Sequence, residues 1–245
     1  MARSALRTLV LSSALALSLS AGALTAAPEP SPVPKRWQLD AAFSPLRVAT
    51  VEVPNVGPRA FYYLTYKVAN NTGQDLLFAG SFELATADGK VYRSGRNVPA
   101  EVTAELIARQ SNPLLQDQIA ILGNLLQGPE NAREGLVVWP AEDLSPGTLT
   151  VYAAGFSGET AIVQAPRSAQ PAADAAKPAE TAKPAVAETK DPAGEQKKLD
   201  GAAPAADSGR VTLRKTKMLR YNLGGELIGL RDKPIDATEA RWIMR

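Results

Sequence analysis

A 43-residue segment dominated by alanine and proline constrains the fold of this chain most. Residues 166–208 contain 14 Ala and 6 Pro, no aromatic residue, and six basic against seven acidic side chains. Such a segment buries too little apolar surface to offset the conformational entropy of ordering it. Its prolines also interrupt the Ala-rich helix that would compete with disorder. The sequence therefore predicts a disordered insertion at 166–208, so the core must come from the rest of the 245 residues.

The start of the chain has the three parts of a secretory signal. Arg3 and Arg7 form a basic beginning, residues 9–19 are rich in Leu, Ala and Ser, and small residues lead to cleavage sites after Ala23 or Ala26. The apolar stretch is too short and too rich in serine for a transmembrane anchor. Because the two arginines are not adjacent, the general secretion route fits better than the twin-arginine route.

Export follows from this reading. We expect residues 1–23 to be a signal peptide, and residues 24–36, with four prolines, to be a flexible mature N-terminus. The mature protein would reside in the periplasm or outside the cell and would have no transmembrane segment.

The composition of the chain excludes several kinds of functional site. The chain has no cysteine and no histidine, which excludes disulfides, catalytic triads that use histidine, and zinc sites built from His or Cys. Without residues 1–23 the chain has 25 Lys+Arg and 25 Asp+Glu, so broad attraction to nucleic acid is not expected. No phosphate-binding or calcium-binding loop is present in the sequence, and we predict no cofactor and no metal.

The remaining sequence is patterned mainly for β-strands, with apolar residues alternating along short runs. The segment 76–86 is interrupted at Gly80, and Asp88-Gly89 indicates a hairpin turn. The predicted strands are 46–53, 61–69, 76–86, 90–92, 135–139, 148–154, 160–164, 210–223 and 240–245. Many short strands separated by turns predict a mainly β fold, an antiparallel β-sandwich of immunoglobulin-like type.

A helical insertion is expected at 99–127. Residues 99–110 are a short helix candidate, and Asn112-Pro113 resembles a helix start before apolar residues at helical spacing. Residues 37–165 and 209–245 together would form one sandwich domain, because 37 residues are too few for a separate core. Strands 160–164 and 210–223 would then be hairpin partners across the long insertion.

Two stretches resemble a known group of domains. The run YYLTYKVANNTGQDLLFAGSFELATADGKVY at 62–92 and the run EGLVVWPAEDLSPGTLTVY at 134–152 resemble extracytoplasmic immunoglobulin-like domains of unknown function. The overall order, with its closing RWIMR, resembles uncharacterised secreted proteins of planctomycete-type bacteria. The resemblance implies the sandwich fold and export, and it carries no catalytic residues over to this chain.

Two sets of side chains are candidates for binding. The predicted helix 113–127 has more apolar surface than one buried stripe requires, so it either contacts a partner or covers one end of the sandwich. The predicted strand 210–220 is basic on both faces, and it either binds an anionic polymer or protects a sheet edge from aggregation. The candidate partner contacts are Leu115, Ile119, Leu122 and Leu126, and the candidate anion contacts are Arg214, Lys215, Lys217 and Arg220.

Function is expected to be non-enzymatic. We expect Trp139 and Trp242 to pack in the core rather than stack on a sugar. We also expect the acidic residues to be solvated rather than paired for hydrolysis, namely Glu83, Glu101, Glu142, Asp143 and Glu159. The sequence therefore predicts a structural or protein-interaction module of the cell envelope, whose partner is an envelope protein. The alternative is a module that binds a cell-wall glycan or anionic polymer.

Overall fold

The computed structural model describes residues 27–143, 147–164 and 210–245. The predicted signal peptide 1–23 and the predicted disordered insertion 166–208 lie outside these residues. Two helices are described, α1 (Ala100–Arg109) and α2 (Leu227–Leu230). The strands are β1 (Asp40–Phe43), β2 (Arg47–Val53), β3 (Gly57–Asn70), β4 (Leu76–Phe78), β5 (Ser81–Thr86), β6 (Val91–Arg93), β7 (Leu115–Gln116), β8 (Gly123–Leu125), β9 (Gly128–Pro140), β10 (Thr148–Ala154), β11 (Thr160–Gln164), β12 (Arg210–Asn222) and β13 (Ala237–Met244).

These strands form two larger sheets and one small ribbon. In the first sheet, β1 and β2 pair with one edge of the long strand β3, β9 pairs with its other edge, and β7 adds to β9. The second sheet has the strand order β13-β12-β10-β5-β6. Strand β11 also pairs with β12. Strands β4 and β8 pair only with each other. All pairs are antiparallel except β7 with β9, and the predicted mainly β fold is confirmed.

The main core lies between the two larger sheets, as in a β-sandwich. On β3 the predicted alternation is observed, because Leu64 and Val68 are fully buried between the sheets while Lys67 points outward. From the second sheet, Leu84 and Leu149 meet them. Rings from both layers stack or meet edge-to-face nearby, with centroids 4.7–6.4 Å apart, a favourable aromatic geometry; they are Phe43, Tyr66, Phe78, Phe82 and Phe156.

A second, smaller core lies on the opposite face of the first sheet. Helix α1 places Val102 and Leu106, both fully buried, against Phe61, Tyr63 and Val138 of that sheet. Helix α1 has an acidic residue in its first turn and a basic residue in its last turn. Both charges complement the helix dipole. Strands β3 and β9 are therefore buried on both faces near α1, and the predicted helix at 99–110 is confirmed.

The strands on either side of the long insertion are partners. Thr160 pairs with Arg214 and Gln164 with Arg210, in an antiparallel register. This is the hairpin pairing expected from the sequence. The entropy of closing a connection grows only slowly with its length, so this pairing is compatible with the large separation of the two strands along the chain.

Gly80 separates two strands, as its position predicted. A Cβ atom on Gly80 would lie 2.7 Å from the ring of Phe78, so a larger residue would displace that buried side chain. Strand β4 before Gly80 joins β8 in the small ribbon, whereas β5 after it joins the second sheet. The interruption thus marks the point where the chain changes partners.

The predicted helix at 113–127 is wrong. Leu115 and Gln116 pair with β9, and residues 123–125 pair with β4. Between them the Asp117 carboxylate accepts hydrogen bonds from the backbone N–H groups of residues 119 and 120, which closes only a single turn. The Arg133 guanidinium then donates to three backbone carbonyls of this segment. Pairing with remote strands and this arginine satisfy the backbone without a helix, so tertiary contacts override local propensity.

Candidate functional site

The four apolar residues predicted to share a helix face lie in different environments. Leu115 is only 7% exposed and packs in the smaller core, so it does not contact a partner. Ile119, Leu122 and Leu126 are 73%, 42% and 46% exposed. Because the helix is absent, these three residues reach the surface from a turn and from the residues flanking β8.

The small ribbon presents an apolar outer face. Strand alternation turns Leu125 inward, where it is fully buried, and leaves its neighbours outward. Leu77 lies opposite Asn124 in the register and is 75% exposed. Leu122 and Leu126 directly precede and follow β8, and both are also exposed. We call Leu77, Leu122 and Leu126 the ribbon face.

Further apolar side chains extend from the segment that leads into the ribbon. Leu122 donates its backbone N–H to the carbonyl of Ile119, so the turn places Ile119 beside the ribbon face. Leu114, in the same segment, is 70% exposed. The sequence analysis predicts 76–86 as a strand and does not single out Leu77 as a contact residue. The signal was present, since three consecutive apolar residues in a short strand must direct at least one side chain outward.

Two acidic residues and one basic residue lie near the ribbon face. Asp75 precedes β4, and Asp117 begins the turn before Ile119. The Arg133 guanidinium donates to backbone carbonyls of residues 121, 122 and 124. Two carboxylates against one guanidinium give this rim an excess of negative charge, which fits a partner whose own apolar surface has basic neighbours.

The four predicted anion contacts on β12 do not form one surface. Arg214 and Arg220 are exposed on the outer face of the second sheet, where Arg220 forms an ion pair with Glu239 at 3.2 Å. Lys215 and Lys217 alternate with them and face the other way, towards the first sheet. The structure therefore separates the basic strand into a solvated pair and an inward pair.

Lys215 is buried in an ion pair. Its Nζ lies 3.0 Å from Glu159 Oε2, and the two side chains are 2% and 10% exposed. Lys215 Nζ also donates to the backbone carbonyl of Ser31 at 2.9 Å, and the Ser31 N–H donates to Glu159 Oε1 at 2.9 Å. The Ser31 N–H, followed by Lys215, holds the pKa of Glu159 below its ordinary value. The pair joins the N-terminal segment to the second sheet and is not free to bind a ligand.

Lys217 lines a cleft at the edge of the two sheets. The cleft has a volume of about 410 Å³ and runs along the edge strand β1 beside β12 and β13, so outward residues of the first sheet such as Lys67 also line it. Trp242, paired with Lys217 across the strands, forms part of its wall, and Lys217 Nζ lies 5.4 Å from the ring centroid. We call this space the interlayer cleft. Its other lining residues are Gln38, Leu39, Asp40, Ala41, Ala42, Phe43, Lys67 and Ala69.

The two tryptophans singled out in the sequence, Trp139 and Trp242, differ in how deeply they are buried. Trp139 is completely buried between the sheets, as expected. Trp242 is only partly buried and borders the interlayer cleft. The sequence offered no signal for this difference, because both residues lie in predicted strands and only the tertiary structure decides which one borders a cleft.

The acidic residues of the described chain are engaged mainly in ion pairs and hydrogen bonds. Glu83 pairs with Arg93 at 3.4 Å and with Arg245 at 2.6 Å, and Glu142 accepts a hydrogen bond from the Tyr92 hydroxyl at 3.1 Å. Among residues 27–143, 147–164 and 210–245, no group of three or more acidic side chains is placed to hold a metal ion. Nor does this part of the chain contain a helix with the length and apolarity to cross a bilayer.

The geometry described above therefore offers two candidate surfaces, the ribbon face and the interlayer cleft. Comparison of the chain with protein-family models, with curated proteins and with solved structures finds no match.

Proposed function

We propose that this protein is an exported, non-enzymatic module of the cell envelope that binds another envelope protein through the ribbon face. The proposal takes its fold to be an immunoglobulin-like sandwich and its route to be general secretion. The single observation that carries it is the exposure of three leucines, Leu77, Leu122 and Leu126, in or directly beside a two-stranded ribbon. Exposed apolar side chains gathered in one part of a domain commonly mark an interaction site.

Charge favours a protein partner over a lipid surface. An amphipathic element that binds anionic membranes places lysine or arginine beside its apolar face. The ribbon face instead has two carboxylates nearby, Asp75 and Asp117, against the single cation of Arg133. The expected partner is therefore a protein with an apolar patch and basic neighbours.

The test is in-cell crosslinking of the tagged protein, followed by mass spectrometry and binding assays with the purified partner. Leu77→Asp with Leu122→Asp should abolish one dominant crosslink and weaken the affinity at least about tenfold, since each buried leucine contributes about 1.5–3 kcal/mol. Ile162→Asp is the matched control, because Ile162 is 69% exposed on β11 in the second sheet.

The control distinguishes specific binding at the ribbon face from nonspecific association of exposed apolar side chains. The Ile162→Asp variant should keep the crosslink and the affinity, and all variants should melt within a few degrees of the unchanged protein. A crosslinking pattern that is the same in the double variant and the control would refute the ribbon face as the binding site, as would the absence of any protein partner.

A further inference from the structure

The interlayer cleft contains a lysine that the described chain leaves without an acidic partner. Lys217 lines the cleft, and within residues 27–143, 147–164 and 210–245 its ammonium has no acidic side chain within 4.0 Å. A partly desolvated cation without a partner is costly, so a ligand that supplies an anion would bind favourably here.

The Lys217 side chain is less solvated than that of an ordinary surface lysine. Burial lowers its pKa, because an ammonium removed from water loses hydration that no carboxylate replaces here. Its contact with the Trp242 ring compensates only in part, since a cation–π contact is weaker than a charge-assisted hydrogen bond. A ligand carboxylate would compensate for the hydration that the Lys217 ammonium has lost.

The walls of the cleft define the rest of the ligand. Trp242 and the ring of Phe43 offer apolar surface, which suits the C–H face of a saturated ring. Asp40 at the same cleft is a hydrogen-bond acceptor, held by a hydrogen bond from the Asn71 amide at 2.7 Å, and its carboxylate accepts from a hydroxyl or an N–H. A ligand that combines hydroxyls, an apolar ring face and one acid group is a sugar acid.

We propose that the interlayer cleft binds a carboxylated pyranose of a wall or capsule polymer. The carboxylate contacts Lys217, the ring stacks on Trp242, and a hydroxyl donates to Asp40. A volume of about 410 Å³ lies within the range of small-ligand sites. This site goes beyond the protein-binding function proposed for the ribbon face and does not depend on it.

The charges at the cleft argue against a phosphate group. Phosphate sites in proteins converge several cations or a bidentate arginine on the anion. Here Lys217 is accompanied by Asp40, and the other lysine of the cleft, Lys67, lies 3.7 Å from Glu134. One available cation beside one carboxylate matches a singly charged ligand better than a dianion.

The first experiment uses the unchanged protein and needs no variant. The chain has three tryptophans, so their indole N–H signals can be followed separately by nuclear magnetic resonance during titration. Trigalacturonate supplies uronic acid, and glycan strands freed of peptide supply the muramic acid of a cell wall. We expect saturable shifts of the Trp242 signal with at least one of these probes and no shift for Trp139, which is fully buried. Titration without any shift at Trp242 would overturn the proposal.

The second experiment separates the site from general charge attraction. Lys217→Met keeps the aliphatic stem but removes the cation, and Arg214→Met removes one charge from the opposite face of the same strand. We expect Lys217→Met to weaken binding about tenfold or more, as the loss of one charge-assisted hydrogen bond implies, and Arg214→Met to change it less than about twofold. Lys217→Gln provides a second substitution if the methionine variant unfolds.

A neutral probe completes the test. Fully methyl-esterified trigalacturonate has the same rings without the acid groups, so it should bind about tenfold more weakly than the free acid. Equal binding of ester and acid would overturn the role of Lys217. Equal losses for Lys217→Met and Arg214→Met would show attraction to the whole strand and would overturn the cleft as the site.

Discussion

Replacing Lys215 with methionine should test how strongly the buried ion pair supports the fold. The Lys215 side chain is 2% exposed and makes two polar contacts of 2.9–3.0 Å, one to Glu159 and one to the backbone of Ser31. Methionine fills nearly the same space but cannot neutralise the carboxylate. The variant would therefore leave Glu159 charged and almost excluded from water.

The expected cost is large. Removing one partner of a buried ion pair costs about 3–5 kcal/mol, because the remaining charge is uncompensated. Removing both charges costs much less, since the desolvation of the pair is then avoided. The double variant Lys215→Met with Glu159→Gln should accordingly be more stable than Lys215→Met alone, by at least about 1.5 kcal/mol.

Urea denaturation at pH 7, followed by tryptophan fluorescence, measures these differences directly. Lys67→Met is the matched control, because Lys67 faces Glu134 at 3.7 Å with the two side chains 56% and 28% exposed. An exposed pair of this kind contributes less than about 1 kcal/mol. A cost below about 1 kcal/mol for Lys215→Met, or additive costs in the double variant, would refute the reasoning.

The same pair predicts a dependence of stability on pH. The pKa of Glu159 in the folded protein lies below its ordinary value of 4.5, chiefly because of the Ser31 N–H and then because of Lys215. A carboxyl with a depressed pKa stabilises the fold above its unfolded pKa, and this contribution is lost as the pH falls through the folded pKa. Stability should therefore fall below about pH 4.5 more steeply in the unchanged protein than in Glu159→Gln. Parallel pH profiles would contradict this assignment.

Two further predictions concern the core. Gly135→Ala should destabilise the protein by about 1–3 kcal/mol, because its Cβ would lie 2.6 Å from the ring of Tyr66, whereas Gly224→Ala, with open space around it, should change stability by less than about 0.5 kcal/mol; equal urea midpoints would contradict the packing. Burial raises the pKa values of Tyr62, Tyr66 and Tyr221 far above 10.0, so their neutral forms stabilise the fold below about pH 10 and that stability is lost as the pH rises. Absorbance at 295 nm should show at least three of the six tyrosines ionising only together with unfolding, and their ionisation in the folded protein would contradict their burial.

Much of the fold was predictable because strand alternation is a local property. The period-two pattern of β3 identified its inward residues, and the break at Gly80 and the short helix α1 were read from neighbouring residues alone. The pairing of β11 with β12 followed from the composition of the segment between them. For the alternation, the break and the helix, the signal lay within a few residues of the structure it predicted, whereas the pairing of β11 with β12 used the composition of a long segment.

The segment 113–127 was not predictable in the same way. Its leucine spacing fits a helix, but its backbone pairs with β4 and β9, and Arg133 binds its free carbonyls. These partners lie elsewhere along the chain, and local spacing contains no information about them. The exposed ribbon face follows from that pairing, so the predicted contacts Ile119, Leu122 and Leu126 reach the surface by another route than the one expected.

The sequence by itself determined the alternating strands, the turn positions and the absence of cysteine and histidine chemistry. Only the tertiary structure decided which charges are buried and which side chains meet. Lys215 and Lys217 are both lysines on β12. Glu159 neutralises Lys215, whereas Lys217 borders a cleft beside Trp242. The physical reason is that burial and pairing depend on which sheet edge packs opposite each residue, and that contact is made across residues far apart in the chain.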